Sequence, residues 1–142
     1  WAELLRKRPE LGRRYAAFYR ALWEGPVDRR VLEIARLRIA AIHGCEADVP
    51  ADLELDDREA AALERGDRSP FDAPVRAALT LAEHMPFDHH GISDAEVEAA
   101  AEHFGPGGAV TLLTALAFFD SNCRLQQVGG CDDSLHRALQ SP

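Results

Sequence analysis

The sequence predicts an all-α protein, a single-domain bundle of six to seven helices over residues 1–142. Strand signals are nearly absent, since no stretch alternates β-branched and polar residues and no Asn-Gly pair marks a hairpin. Alanine, leucine, glutamate and arginine dominate instead, as helices prefer. A chain of 142 residues, of which 46% are hydrophobic, is long enough and apolar enough for one domain with a substantial core.

Capping residues and Gly or Pro breaks mark the ends of the predicted helices. The expected N-caps include Asp28, Asp56 and Asp72. In the first helix Leu11, Tyr15 and Phe18 recur at helical spacing, which gives an apolar face. The segment 45–52 stays ambiguous, because Pro50 excludes a regular helix interior there. In chain order the predicted helices span 9–23, 28–43, 56–66, 73–85, 93–104, 109–128 and a short tail at 133–139.

Composition and charge disfavour several classes of partner. The net charge of −8 argues against nucleic acid and anionic membranes, since both need concentrated Lys and Arg. The longest clean apolar run, Ala115 to Phe119, is far too short for a membrane span. No secretory signal is visible at the start, so the cytoplasm is the expected location.

The cysteines and histidines form no metal or disulfide pattern. Cysteine occurs three times, at widely separated positions 45, 123 and 131. This odd number fits neither a disulfide framework nor a zinc site. His89 and His90 lie between Pro86 and Gly91 with no second cluster nearby, which favours a surface loop. We therefore expect no metal and no other cofactor.

The second predicted helix carries the main functional signal. It is apolar around most of its circumference, so it must be largely buried. Four polar residues nevertheless fall on one narrow stripe when the helix turns by about 100° per residue: Arg29, Glu33, Arg36 and His43. Either the stripe faces solvent, with Glu33 and Arg36 as a surface pair, or it is a polar seam inside the bundle that leads towards Cys45.

A polar seam would give Glu33 and Cys45 a chemical role. A buried carboxylate would have a raised pKa and could move a proton to or from a thiolate. Cys45 follows the helix end, two residues from His43, and could be activated by that imidazole. The alternative for a lone cysteine is a small buried hydrophobic residue.

The motif LEIARLRIAAIHGC, residues 32–45, resembles the signature of the alkylhydroperoxidase D / carboxymuconolactone decarboxylase superfamily. In that signature a Glu-x-x-x-Leu-Arg helix runs into Asn-Gly-Cys-x-x-Cys-x-x-x-His. The segments RPEL (8–11) and SPFDAPVRAALTLAE (69–83) resemble further parts of the family pattern, as does the last helix with Phe119, Asp120 and Arg124. The resemblance covers roughly residues 8–131 and implies an alkylhydroperoxidase D-like fold.

The resemblance implies redox chemistry at a cysteine pair, with Glu and His relaying protons to the thiols. A pair is needed because a neighbouring thiol must resolve the sulfenic acid. Glu33 matches the family Glu and Cys45 the first Cys, while His43 stands at the Asn position. Without a gap, Asp48 occupies the second Cys position and Asp52 the His position, so the Cys-x-x-Cys couple is missing.

The first functional hypothesis is therefore a thiol peroxidase or thiol reductant with one working cysteine. Cys45 would be the attacking thiolate, with His43 or Glu33 as its base. Resolution would need Cys123, Cys131 or an external thiol. Cys123 is the favoured internal candidate, because the last helix is expected to pack near the motif helix.

The second hypothesis is a lyase or isomerase acting on a small carbonyl or lactone acid, as the decarboxylase branch implies. General acid and base groups in the same cavity would do this chemistry without a cysteine pair. The proton-transfer set would be Glu33, His43, Asp48 and Asp52. Arg36 or Arg124 would bind the substrate carboxylate.

The third hypothesis is a catalytically degenerate member that keeps the fold as a binding or assembly module. For an enzyme the expected partners are a small-molecule substrate, either a peroxide or a small organic acid, and a thiol or disulfide partner protein. The resemblance also implies a homo-oligomer.

Overall fold

The computed structural model describes residues 5–129 and His136, and every regular element in this part of the chain is helical. This confirms the predicted all-α class. The described part contains five α-helices: α1 (Pro9–Trp23), α2 (Arg29–His43), α3 (Asp57–Arg65), α4 (Ala73–His84) and α5 (Asp94–Gly129). A short 3₁₀-helix, His89–Gly91, lies within the loop predicted between α4 and α5. The tail helix predicted at 133–139 lies outside the described residues except for His136.

The helices begin and end at the capping residues that the sequence predicts. Asp28 accepts a hydrogen bond from the Arg30 backbone N–H at 2.7 Å and so caps α2. Asp56 and Glu59 form a reciprocal capping box at the start of α3. Gly44 ends α2 in the left-handed conformation, with φ of 65°, which glycine adopts without steric cost.

The last helix is divided by a kink at Gly105, within the stretch 105–108 where the sequence predicts a break between two helices. Only Gly105 leaves the helical conformation, with φ 71° and ψ 168°, and the helix resumes at Pro106. Proline suits this position because the first residues of a helix have no intrahelical partner for their N–H groups. None of the helices in the described ranges has the length and apolarity needed to cross a membrane.

Helix α2 lies at the centre of the hydrophobic core and packs against α3, α4 and α5. Leu32, Ile34 and Ile39 are fully buried, as the apolar circumference of this helix predicts. Helix α1 packs on α5 through aromatic rings, with Tyr15 and Phe118 centroids 4.8 Å apart. This arrangement places the middle of the polar stripe of α2, Glu33 and Arg36, inside the bundle.

The kink at Gly105 gives a direct test of the fold. Gly105→Ala should destabilise the protein by about 1–3 kcal/mol, because its φ and ψ lie in a region essentially restricted to glycine. Gly107 lies two residues further, in helical conformation with open space around a new Cβ. Gly107→Ala should therefore be neutral or stabilising by roughly 0.4–1 kcal/mol. Urea unfolding of both variants measures the difference. Equal changes in the free energy of unfolding would contradict the backbone strain expected in Gly105→Ala.

Candidate functional site around Glu33 and Cys45

The polar stripe of α2 contains a buried ion pair. Glu33 is 1% exposed and Arg36 is 5% exposed, and the Arg36 Nε donates to Glu33 Oε2 at 2.9 Å. Arg36 Nη2 also donates to the backbone carbonyl of Asp48 at 2.5 Å. The surface-pair interpretation of Glu33 and Arg36 is therefore wrong, and the stripe runs inside the bundle at these positions. The Arg29 side chain, one turn earlier, is half exposed.

The imidazole beside Glu33 comes from His136, a residue that the sequence analysis does not identify. His136 Nε2 lies 3.2 Å from Glu33 Oε1, and Nδ1 forms a hydrogen bond with the Tyr19 hydroxyl. The Tyr19 and Trp23 rings both contact the imidazole. His136 is separated from α5 by several residues in sequence, so no periodicity places it against α2. Its hydrogen-bonded neighbour Tyr19 lies on the predicted apolar face of α1.

The side chain of Glu33 is a charged carboxylate rather than a protonated acid. Burial alone raises the pKa of Glu33, but the contacts with His136 and Arg36 outweigh it and hold this pKa below the ordinary value of 4.5. The predicted raised pKa is therefore wrong. The His136 contact lacks hydrogen-bond alignment, and Oε1 accepts no hydrogen bond from any residue in the described part. The attraction at this oxygen is electrostatic.

Cys45 lies beside Cys123 at a small polar cavity. The Cys45 thiol is half-buried and donates to the backbone carbonyl of Cys123, with Sγ and O separated by 3.7 Å. The cavity has a volume of about 20 Å³, enough for one water-sized molecule. It is lined by both cysteines together with Tyr19, Arg36, Ala40, Glu46, Phe119, Asn122, Gln126 and His136. A thiol, a guanidinium and an imidazole thus border the same enclosed space.

The helical pattern of α5 could have identified two further polar residues at this cavity. Asn122 and Gln126 are buried, at 8% and 6% exposure. They recur at helical spacing with Phe119 and Cys123, so all four share one face of α5. Buried amides on the core face of an otherwise apolar helix indicate a polar interior, because buried polar groups need partners.

The structure does not bring His43 to Cys45. His43 is nearly buried, and its Nε2 lies 2.7 Å from Asp120 Oδ1 on α5. Its ring contacts Phe87, and its backbone carbonyl accepts from Gln127. His43 does not line the Cys45 cavity. The imidazole available to Cys45 is that of His136.

The two predicted substrate-binding arginines lie in different clusters. Arg124 is bound to Asp120, which raises the pKa of Arg124, and it donates to the Pro86 carbonyl at 2.7 Å. It therefore belongs to the His43 cluster, whereas Arg36 belongs to the Glu33 pair. Asp48 contributes its backbone carbonyl to Arg36. The exposed Asp52 lies 3.7 Å from Arg29 and away from His43 and Cys45.

A larger cleft lies on the other side of the Glu33–Arg36 pair. Its volume is about 730 Å³, and the start of α2, the segment 50–56 and the start of α3 form its walls. The lining residues are Arg29, Arg30, Glu33, Pro50, Asp52, Leu53, Glu54, Leu55, Asp56 and Glu59. No group of three or more potential metal ligands occurs among the residues that the structure covers.

The resemblance to a known superfamily rests on the motif residues of this chain. Comparison with protein-family models, with curated proteins and with solved structures finds no match. A function can therefore be argued only from the chemistry of the groups around Cys45 and Glu33. The superfamily relationship is itself a proposal.

The charge on Glu33 predicts a specific pH dependence of stability. Glu33→Gln leaves Arg36 and His136 without their buried anion, so the free energy of unfolding at neutral pH should fall by about 3–5 kcal/mol. Because the pKa of Glu33 is lower in the folded state than its ordinary 4.5, the carboxylate stabilises the fold above that value. This contribution is lost as the pH falls below 4.5.

Urea unfolding of wild type and Glu33→Gln at neutral and at acidic pH measures this effect. The stability gap between the two proteins should narrow as the pH falls through the acidic range. Glu102→Gln, which removes an exposed carboxylate on α5, serves as the matched control and should show no gap at either pH. A gap that stays constant or widens on acidification would contradict a charged Glu33.

Proposed function

We propose that the chain is a divergent member of the alkylhydroperoxidase D / carboxymuconolactone decarboxylase superfamily that acts as a thiol peroxidase with Cys45 as its one peroxidatic thiol. The observation that carries the proposal is the small cavity that Cys45, Cys123, Arg36 and His136 share. Its volume suits a molecule about as small as water. The order of helices and the Glu33-to-Cys45 motif support an alkylhydroperoxidase D-like fold.

The first step uses the Cys45 thiolate as nucleophile. The sulfur attacks one peroxide oxygen, so an S–O bond forms while the O–O bond breaks. The sulfur is oxidised by two electrons to a sulfenate, and the peroxide is reduced to water or an alcohol. The departing oxygen needs a proton, and the Arg36 guanidinium at the cavity can stabilise its developing negative charge.

His136 is the proton-transfer group in this proposal. It lines the cavity that Cys45 borders, and its Nδ1 can take the thiol proton through the Tyr19 hydroxyl and return it by the same path to the leaving oxygen. The charged Glu33 and the Tyr19 hydroxyl contact the two ring nitrogens of His136 and so fix the orientation of the imidazole. Glu33 is thus a positioning residue, because it acts through His136 and Arg36.

Cys123 is the proposed resolving thiol. Its backbone carbonyl accepts from the Cys45 thiol, so the two residues are adjacent although 78 positions separate them. Attack of the Cys123 sulfur on the Cys45 sulfenic acid forms an S–S bond and releases water. A small dithiol or a thiol partner protein then reduces the disulfide by exchange. A reducing compartment such as the cytoplasm supplies such thiols.

The lyase alternative has less support from the site. Its proton-transfer set needs Glu33 and His43 together, whereas His43 is bound to Asp120. The cavity at Cys45 is too small for a lactone acid, and carboxylates outnumber guanidinium groups in the larger cleft. An anionic substrate is therefore disfavoured at both places.

A homo-oligomer is part of the same proposal, as the superfamily resemblance implies. Several large apolar side chains are exposed on the described surface, among them Leu11 and Phe18 on α1. Exposed apolar groups of this kind are available for contacts between subunits.

Peroxide treatment should convert Cys45 to a sulfenate that a dimedone-type probe traps. Cys45→Ser should lose both the labelling and the consumption of hydrogen peroxide. Labelled-peptide mass spectrometry and a peroxide assay provide the two measurements. Unchanged peroxide consumption in Cys45→Ser would refute the proposal, as would the absence of any consumption by the wild type.

Cys123→Ser supplies the control for resolution. If Cys123 resolves the sulfenic acid, this variant should accumulate more trapped Cys45 sulfenate than the wild type and should form no Cys45–Cys123 disulfide. Equal amounts of trapped Cys45 sulfenate in Cys123→Ser and in the wild type would indicate that an external thiol resolves the sulfenic acid.

A matched pair of histidine variants tests which imidazole acts at Cys45. His136→Gln should lower the rate of peroxide consumption on the order of 10²-fold, a typical contribution of a general acid or base. His43→Gln removes an imidazole of similar burial that does not line the cavity, so its rate should stay close to wild type. Stopped-flow kinetics on variants with wild-type helicity checks this, and the reverse order of effects would favour His43 instead.

A further inference from the structure

The cleft beside α2 has the size of a small-molecule binding site. Its volume of about 730 Å³ falls within the range of roughly 300–1,000 Å³ that ligand pockets occupy. It is separate from the Cys45 cavity, since the two share no lining residue. Of its lining residues, the peroxidase proposal uses only Glu33, which positions His136.

The charges of this cleft favour a cation. Five carboxylates and only two guanidinium groups line it. Both guanidinium groups are engaged by these carboxylates, Arg30 with Glu59 at 2.7 Å and Arg29 with Asp52 at 3.7 Å. Glu54 is exposed and has no ion pair with any residue in the described ranges. An excess of negative charge in a concave site raises the local concentration of cations.

The floor of the cleft contains a buried acceptor without a hydrogen bond. Glu33 borders the cleft and is 1% exposed, and its Oε1 accepts no hydrogen bond from the described residues. His136 Nε2 lies 3.2 Å from this oxygen without hydrogen-bond alignment, and Arg29 Nε approaches it only to 4.0 Å. Buried carboxylate oxygens normally have a donor, because an unmade hydrogen bond to a charged group is costly. The Arg29 side chain is long and half exposed, so it can move into solvent and open the path to Oε1.

We propose that this cleft binds a small organic cation, a primary amine or a guanidinium on a short aliphatic chain. The cationic group takes the place beside Glu33 Oε1 that Arg29 approaches, and Glu54 attracts it at the entrance. Leu53, Leu55 and Pro50 provide the apolar wall for the chain. Arg29 competes with the ligand in this arrangement.

Calorimetric titration with n-butylamine, putrescine, butylguanidinium and butyrate tests the proposal on the full chain. The three cations should bind the wild type, their affinity should fall as salt is added, and butyrate should not bind. Arg29→Ala should strengthen cation binding several-fold, because the competing guanidinium is removed. Glu54→Lys should weaken it several-fold.

Two controls separate this site from the rest of the molecule. Glu102→Lys makes the same charge change as Glu54→Lys on exposed α5 surface outside the cleft and should leave affinity unchanged. Cys45→Ser should also bind cations as the wild type does. The proposal is overturned if butyrate binds in preference to butylamine, if Arg29→Ala weakens cation binding, or if none of the cations binds.

Discussion

The buried ion pair between Glu33 and Arg36 is the constraint on which the site depends. Removing two charges from water costs several kcal/mol for each ion, and only good geometry offsets this cost. Arg36 donates to the carboxylate at 2.9 Å and to the Asp48 carbonyl at 2.5 Å, while His136 approaches the other carboxylate oxygen. The hydrogen bond from Arg36 to the Asp48 carbonyl connects the irregular segment after α2 to the helix itself. Cys45 lies at the start of that segment, where its backbone N–H donates to the Ala40 carbonyl at 2.9 Å.

The ion pair also separates two spaces of different chemical character. Arg36 borders the enclosed cavity that contains the Cys45 thiol, whereas Glu33 borders the open, acidic cleft. Positive charge on the thiol side stabilises anions such as a thiolate or a departing oxide, and negative charge on the cleft side attracts cations. The two proposed functions need opposite charges on the two sides, and a single salt bridge on one turn of α2 supplies both. Fully buried apolar residues of the same helix, Leu32 and Ile34, flank Glu33 in the sequence.

The sequence predicts the helices well because caps and apolar periodicity are local signals. Asp28, Asp56 and Asp72 cap the helices that they were expected to cap. The site is predicted only in part, because its contacts are long-range. Glu33 and Arg36 share a helix, so their proximity follows from spacing, and the packing of Cys123 beside Cys45 agrees with the expected placement of the last helix. No local rule predicts that His136 contacts Glu33.

The burial of Glu33 also shows why the charge state of a site residue cannot be read from its helix alone. Spacing on α2 predicts a buried carboxylate, and burial by itself raises the pKa of such a group. The partner at Oε1, His136, comes from more than a hundred positions away, and with Arg36 it reverses the direction of the shift. A charged Glu33 cannot donate a proton to a leaving group, but it can hold an imidazole in place. We therefore assign the proposed proton-transfer role to His136. Tyr19 of α1 and Glu33 of α2 both contact this residue.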